Sequence, residues 1–278
     1  MPINSINTNA QAAVALQAMN ATSRELQTSG AVIATGKKIA SAKDNGAVWG
    51  IATNQKAEAN ALDPVIDSLS RARSAMDVAL AAGEAGVDIL TKMKTIAVAG
   101  MDTSLTQKER MSMHGDYDTL RNQFAALTQN AEFDGINFLI GTGTTSFLAD
   151  TNGQTLDVVH QNMDYTPFTP GPVNQLRGWS VDREDKKDEV LREISGTLEA
   201  VTAALANLGT TAQQIDAQIT LNSKIKDTLE VGVGNLTDGD LAKESAKYQA
   251  LQTRQGLAAK ALAIANAAPQ WIANLFRS

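Results

Sequence analysis

Apolar residues recur at intervals of three and four over most of the chain, the spacing that places them on one face of an α-helix. The first run covers residues 4–33, and the last begins after Asp240, a residue type that suits the start of a helix. Both runs form narrow stripes of mostly small residues, namely Ile6, Ala10, Ala13, Leu16, Met19, Ser23, Leu26, Gly30 and Ile33 at one end and Leu241, Ser245, Tyr248, Leu251, Gln255, Ala258, Leu262 and Ala265 at the other. The spacing predicts two terminal helices, but it does not decide whether they pack on their own domain or on other molecules.

Three further helices are predicted between the terminal ones. Apolar positions keep a helical period over residues 60–99, where Asp63-Pro64 either begins the helix or kinks it. Residues 106–109 have the spacing of a capping box, which predicts that a third helix starts there. A charged segment then opens a helix over residues 182–229, which only Gly209 interrupts. These helices come from both halves of the chain, so we expect them to run side by side.

Two segments interrupt the helical pattern. Residues 34–46 contain two glycines and several polar residues, and we interpret them as a connector. From 133 to 180 the chain is rich in Gly, Thr, Asn and Pro, with short alternating runs at 145–148 and 154–159 joined through 150–153. Alternation on both sides of a turn predicts a β-hairpin. The predicted fold is mainly α: an elongated antiparallel helical bundle built from the N- and C-terminal halves, with coiled-coil-like terminal helices and a small β-hairpin region.

Composition and charge narrow the classes of protein that fit this pattern. The chain has 278 residues, no cysteine and only 4% aromatic residues, which suits narrow seams between helices better than stacked sheets. The formal net charge of −6, without clusters of Lys and Arg, argues against nucleic acid and anionic membranes as partners. No run approaches the roughly 18 to 20 apolar residues of a membrane span. Residues 1–10 lack the features of a secretory signal, so we expect any export to use another route.

The sequence offers no constellation of residues for catalysis, metal binding or a cofactor. His114 and His160 do not begin a His-Glu-x-x-His helix, and thiolate ligands are absent. The segment Gly36-Lys37-Lys38 lacks the first glycine and the hydroxyl residue of a phosphate-binding loop. Asp238-Gly-Asp240 lacks the spaced carboxylates of a calcium loop, so helix capping explains it better. We therefore expect a protein that is not an enzyme and has no cofactor. A coiled-coil signalling protein fits less well because of the hairpin region.

Short motifs at both ends of the chain carry a resemblance to a known family. They are Ile6-Asn7-Thr8-Asn9 and the run from Thr35 to Asp44 at the amino end, Phe133-Asp134-Gly135-Ile136-Asn137 before the hairpin, and Asp240–Ser245, Leu251–Gln255, Ala263–Asn266, Ala268–Gln270 and Leu275–Arg277 at the carboxyl end. In these motifs the chain resembles the flagellins, the subunits of the bacterial flagellar filament. The resemblance covers most of residues 1–140 and 190–278, which implies a short form without large variable outer domains.

The resemblance implies a function and a division into domains. A flagellin polymerises through its terminal helices into the filament used for swimming, so residues 1–44 with 236–278 would form the inner, filament-core domain. Residues 45–235 would form the outer helical bundle, with the hairpin and loop region at about 133–180. The residues expected to carry self-assembly are then Ile6, Ala10, Ala13, Leu16, Leu26, Ile33, Leu241, Tyr248, Leu251, Leu262 and Leu275.

Partners and location also follow from the resemblance alone. The expected partners are further copies of the chain, other flagellins, the flagellar cap, the hook-filament junction protein, and the export apparatus with its chaperone. The subunit would leave the cell unfolded through the flagellar type III pathway and reside in the extracellular filament. Outward-facing hydroxyls expected to accept O-linked sugar are Thr142, Thr144, Thr145, Ser146 and Thr151. The alternative identity within this class is a hook-filament junction protein.

Overall fold

A computed structural model describes residues 9–163 and 187–275, with the backbone alone for residues 187 and 268–275. Within these ranges the elements follow in the order α1 (Ala10–Thr35), α2 (Gly46–Ala99), α3 (Gln107–Gln129), β1 (Thr144–Leu148), β2 (Thr155–Val159), α4 (Lys187–Thr237) and α5 (Leu241–Leu275). The prediction of a mainly helical chain with one small hairpin is confirmed. The predicted residues 4–8 of the first helix and 182–186 of the fourth lie outside the described residues.

Helix α2 begins earlier than the periodicity indicated. Its first turn is capped by Asn45, whose side-chain Oδ1 accepts a hydrogen bond from the backbone N–H of Val48 at 3.2 Å. The helix then continues through Pro64, so the prediction that Asp63-Pro64 could begin the helix was wrong. The turns before residue 60 are mostly exposed, and the apolar side chains buried in them are those of two alanines, Ala52 and Ala59.

The start of α3 is as predicted, and α4 runs further than predicted. The side-chain hydroxyl of Thr106 accepts a hydrogen bond from the backbone of Glu109 at 3.4 Å, and the Glu109 carboxylate accepts one from the backbone of Thr106 at 2.8 Å. This reciprocal pair is a complete capping box. Helix α4 passes Gly209 without a break and ends at Thr237 rather than near Leu229.

The chain forms two compact units, and residues 58–227 form the central one. Its hydrophobic core contains the largest fully buried side chains: Leu69, Met76, Leu90, Met93, Tyr117, Phe124, Phe138, Leu139, Met163, Ile194 and Leu208. Two glycines of α2 allow close packing in this core. A methyl group at Gly83 would overlap the side chain of Leu205, and one at Gly86 would lie 2.9 Å from the ring of Phe124. Glycine therefore brings α2 close to α3 and α4.

The predicted hairpin is present and is fixed to the core of the central unit. Strands β1 and β2 are antiparallel, with Thr145 opposite Val158 and Phe147 opposite Leu156. The carbonyl oxygen of Ala149, at the turn, accepts hydrogen bonds from the side-chain amides of both Gln218 and Asn222 at 3.1 Å. The hairpin is thus held by α4 as well as by its own ladder.

The second unit contains both ends of the chain, residues 1–57 and 228–278. Helices α1 and α5 are antiparallel, since Ser29 contacts the backbone of Glu244 while Asn9 contacts the backbone of Ala265. We call these two helices the terminal helix pair. Among the described residues of this unit, the buried apolar side chains are those of Ala52, Leu251 and Ala265. The terminal unit therefore has a far smaller core than the central one. The predicted division into inner and outer filament domains stays a prediction.

Candidate self-assembly surface

The seam between α1 and α5 consists largely of small and polar side chains. Thr22 and Ser29 are buried on α1, and the Ser29 hydroxyl donates to the backbone carbonyl of Glu244 at 3.3 Å. The side-chain amide of Gln255 donates to the Ser23 hydroxyl at 3.1 Å. At the far end of the pair, Asn9 donates to the carbonyl of Ala265 at 2.7 Å. Side-chain hydrogen bonds thus join the two helices along the seam, and among the described residues Leu251 and Ala265 are the buried apolar side chains of α5.

Larger aliphatic side chains of the same helices are exposed. Val14 and Leu16 on α1 are 66% and 45% exposed, and Leu257 and Ile264 on α5 are 62% and 73% exposed. Val14 and Ile264 also line a groove of about 590 Å³ between the two helices, together with Ala10, Gln11, Ala15, Ala18, Ala261 and Ala265. None of the described residues that line this groove is charged. An arrangement with small residues inside and large apolar ones outside leaves apolar area for another molecule to cover.

The structure divides the predicted assembly residues into two groups. Those that are buried or half-buried are Leu26, Ile33, Tyr248, Leu251 and Leu262, whereas Ala10, Ala13, Leu16 and Leu241 are exposed. Ile6 lies outside the described residues, and of Leu275 only the backbone is described. Ala10, Ala13 and Leu16 are thus left exposed by the packing of the subunit itself.

Sequence reasoning missed the most exposed aliphatic residues. Val14, Leu257 and Ile264 lie off the predicted stripes, on helix faces that should be polar in a helix packed only on its own domain. A second set of aliphatic residues on an otherwise small-residue helix was the available signal. It indicates a helix with two contact faces.

One carboxylate of the terminal helix pair is held in its charged form. The Ser29 hydroxyl and the Lys247 ammonium lower the pKa of Glu244, and Lys243 adds a smaller effect. The Lys247 Nζ lies 3.0 Å from Glu244 Oε1. The stabilisation that the charge of Glu244 contributes to the pair is therefore lost when the carboxylate is protonated.

The predicted sugar-bearing hydroxyls differ in their surroundings. Thr142, Thr144, Ser146 and Thr151 are exposed. Thr145 is half-buried, and its hydroxyl lies 2.8 Å from Nε2 of His160. His160 also places Nδ1 3.1 Å from the carbonyl oxygen of Ile140 and packs edge-on against Phe138. Thr145 thus takes part in fixing the hairpin, while the other four hydroxyls are open to solvent.

Residues 9–163 and 187–275 contain no group of three or more His, Cys, Asp or Glu residues placed to hold a metal ion. Over the same ranges, no helix combines the length and the hydropathy that crossing a bilayer would require.

Comparisons with known proteins identify relatives of both ends and of the full length. A family model described as the bacterial flagellin N-terminal helical region matches residues 6–144, and one described as the bacterial flagellin C-terminal helical region matches residues 191–276. The chain is 44% identical to the flagellin FljO of Caulobacter vibrioides over 278 residues, covering 100% of both proteins. It is 31% identical to a flagellin of Brucella melitensis, over 98% of this chain and 99% of that protein.

A solved structure shares the fold at lower sequence identity. A putative flagellar hook-associated protein from Vibrio parahaemolyticus matches with a TM-score of 0.59 and 17% identity, over 70% of this chain and 100% of that one. At this identity the likeness concerns the fold alone.

Proposed function

This chain belongs to the flagellin family and is a flagellar filament subunit, and we propose that the terminal helix pair is the element through which its copies assemble. The observation that carries the proposal is the exposed aliphatic surface of this pair. The large side chains of Val14, Leu16, Leu257 and Ile264 are left in solvent by a unit that has almost no apolar core of its own.

The second copy of the chain is the occupant that best suits this surface. The groove between α1 and α5 is lined by alanines with two larger aliphatic side chains, and both kinds of surface are present on every subunit. Small side chains on one helix admit larger ones from a facing helix. A contact between different faces of identical subunits produces an open helical polymer when the rotation that it repeats does not close into a ring.

The burial of these aliphatic side chains sets the free energy available for association. Fully burying one Leu, Ile or Val side chain contributes about 1.5–3 kcal/mol, and each ~1.4 kcal/mol changes an association constant tenfold. Four such side chains on each subunit are a substantial driving force, because every subunit repeats the same contact along the filament.

Export and the remaining partners belong to the same proposal. We infer that the subunit passes unfolded through the flagellar export apparatus with a chaperone and is placed at the growing end under a cap, on a base of hook-filament junction protein. A terminal unit with few buried apolar side chains supports this, since it costs little to unfold. The filament formed by this family is extracellular, and the role of the family is structural.

The alternative that the chain is a hook-filament junction protein has less support. The relatives that match over the full length, at 44% and 31% identity, are flagellins. The hook-associated neighbour matches at 17% identity and shares only the fold. We therefore keep the filament subunit as the conclusion.

Replacing the most exposed aliphatic residue tests the proposal. Ile264→Ser should raise the critical concentration for seeded polymerisation by about tenfold or more, because it removes apolar area that only a neighbour covers. Ile264→Val is the matched control, and its critical concentration should remain within about threefold of the unmodified chain. Sedimentation of filaments at a series of subunit concentrations measures both variants. Unchanged polymerisation of Ile264→Ser would exclude this face of α5 from the filament contact.

A further inference from the structure

The two connectors of the terminal unit are joined by backbone hydrogen bonds. The backbone N–H groups of Lys38 and Ile39 both donate to the carbonyl of Thr237, at 2.8 and 3.2 Å, and Gly239 donates to the carbonyl of Gly36 at 2.9 Å. We call residues 36–39 and 237–239 the clamp. The Lys38 ammonium adds a bond of 2.8 Å to the carbonyl of Asn235. The clamp therefore joins the end of α1 to the start of α5.

Both glycines of the clamp are required by its geometry. Gly36 has φ +72°, in the left-handed region, and ends α1 by donating to the carbonyl of Val32 at 2.8 Å. Gly239 lies against the same turn, where an added Cβ would be 2.7 Å from Cγ1 of Val32. A side chain at position 239 would force apart the two segments that the hydrogen bonds join.

The seam between α1 and α5 specifies its own register weakly. Its stripe on α5 repeats with a heptad period, so that Tyr248, Gln255 and Leu262 are seven residues apart. After α5 slides by one heptad, its stripe still faces α1. The interactions lost in such a slip are mainly the side-chain hydrogen bonds between the two helices. Since Leu251 and Ala265 are the buried apolar side chains of α5 among its described residues, packing opposes such a slip only slightly.

We propose that the clamp sets the register in which α1 pairs with α5. Once the clamp has formed, α1 and α5 are the two arms of a short helical hairpin, although they come from opposite ends of the chain. Their pairing then spreads from Thr35 and Leu241 towards Asn9 and Ala265. Once the clamp has joined the two segments, α1 and α5 are already held close together. Each later contact between the two helices then costs much less conformational entropy. The importance of this register for filament growth rests on the function proposed above.

Paired cysteines can measure the register in the free subunit, because the chain has no native cysteine. Ser23→Cys with Gln255→Cys reports the native register, since these two side chains are hydrogen-bonded. Ser23→Cys with Leu262→Cys reports a slip of one heptad. A short bismaleimide reagent links either pair, and the ratio of the two linking rates is the readout.

Two variants break different bonds of the clamp. Gly239→Val inserts a side chain against Val32, and Lys38→Pro removes the N–H that donates to Thr237. Gly256→Ala is the matched control, because an added Cβ there meets nothing within 4 Å. The thermal unfolding of the central unit, followed in each preparation, shows whether a variant disturbs more than the clamp.

With the clamp intact, the native pair should link much faster than the slipped pair. Both clamp variants should lower the ratio of the two rates by about tenfold, with the unfolding of the central unit unchanged, and Gly256→Ala should leave the ratio as it is. An unaltered ratio in the clamp variants would overturn the proposal. So would an equal fall in Gly256→Ala, or a fall that appears only together with loss of the central unit. Because linking is measured in the free subunit, these results are independent of whether the terminal helix pair is the assembly element.

Discussion

Individual residues of the terminal unit separate into two roles by size. Thr22, Ser29 and Ala265 are buried between α1 and α5, whereas Val14 and Ile264 are exposed on the same helices. The predicted stripes identified Leu26, Tyr248 and Leu251 because those residues keep the helical period. They could not identify Ile264, since helical periodicity assigns one buried face and this helix has a second face that only a neighbour would cover.

The ionisation of Glu244 should make the stability of the terminal helix pair depend on pH. Its pKa lies below the ordinary value of 4.5 in the folded chain, chiefly through the Ser29 hydroxyl and then Lys247. A lowered pKa means that Glu244 stabilises the terminal helix pair above the unfolded value and that this contribution is lost as the pH falls through the folded one. Glu244→Gln should therefore lower the melting temperature of the terminal helix pair at neutral pH and make no difference in strong acid.

Far-UV circular dichroism of both proteins over a series of pH values measures this effect. Asp44, whose pKa is lowered by backbone N–H groups of Ser41 and Ala40 and by the Ser41 hydroxyl, titrates in both proteins and cancels in the comparison. A difference between the two proteins that persists unchanged into acid would show that Glu244 acts through packing and not through its charge.

At the scale of elements, sequence patterns identified each helix but not every boundary. The capping box at Thr106 and the hairpin turn at 150–153 depend on local chemistry, and the structure has both where the residues indicated. The start of α2 at Gly46 was missed because the apolar side chains buried in its first turns are only those of alanines, Ala52 and Ala59, and because its first turn is capped by Asn45. The clamp was not foreseen because it joins segments 200 residues apart through backbone groups, which leave no side-chain pattern.

A prediction for helix α5 concerns the side chains that it buries in the seam with α1. Among the described side chains of α5, Leu251 is the largest buried one, 4% exposed, and Leu251→Ala removes apolar contacts at a site with few others. Truncation of a buried Leu typically costs 2–5 kcal/mol, and we expect about 2 kcal/mol here because the seam is open to relaxation. The critical concentration for polymerisation should therefore rise by about tenfold or more, with no change in the melting temperature of the central unit.

Calorimetry and filament sedimentation on one preparation of Leu251→Ala check this together. The central unit has its own core of large side chains, from Leu69 to Leu208, so it should not respond to a change in α5. A large fall in the melting temperature of the central unit with normal polymerisation would mean that α5 serves the stability of the subunit and not its assembly.

At the scale of the whole molecule, the two units differ in the large apolar side chains that they bury. The central unit buries rings, methionines and leucines, while the terminal unit exposes eight large apolar side chains among its described residues: Val14, Leu16, Trp49, Ile51, Val231, Leu241, Leu257 and Ile264. The resemblance of the end motifs to flagellins was sufficient to predict the function, and full-length relatives support it. Which faces of the ends meet neighbours could not be predicted from one sequence, since those contacts are made by other molecules.

Limited proteolysis of the free subunit and of the seeded filament tests the central claim most directly. If the terminal helix pair is the assembly element, protease should cut within residues 9–35 and 241–275 of the free subunit, where few buried apolar side chains oppose opening. The same sites should be protected in the filament, while cleavage in the central unit stays slow in both. Equal protection of both ends in the free subunit and the filament would contradict the account, because the terminal helix pair would then gain nothing from its neighbours.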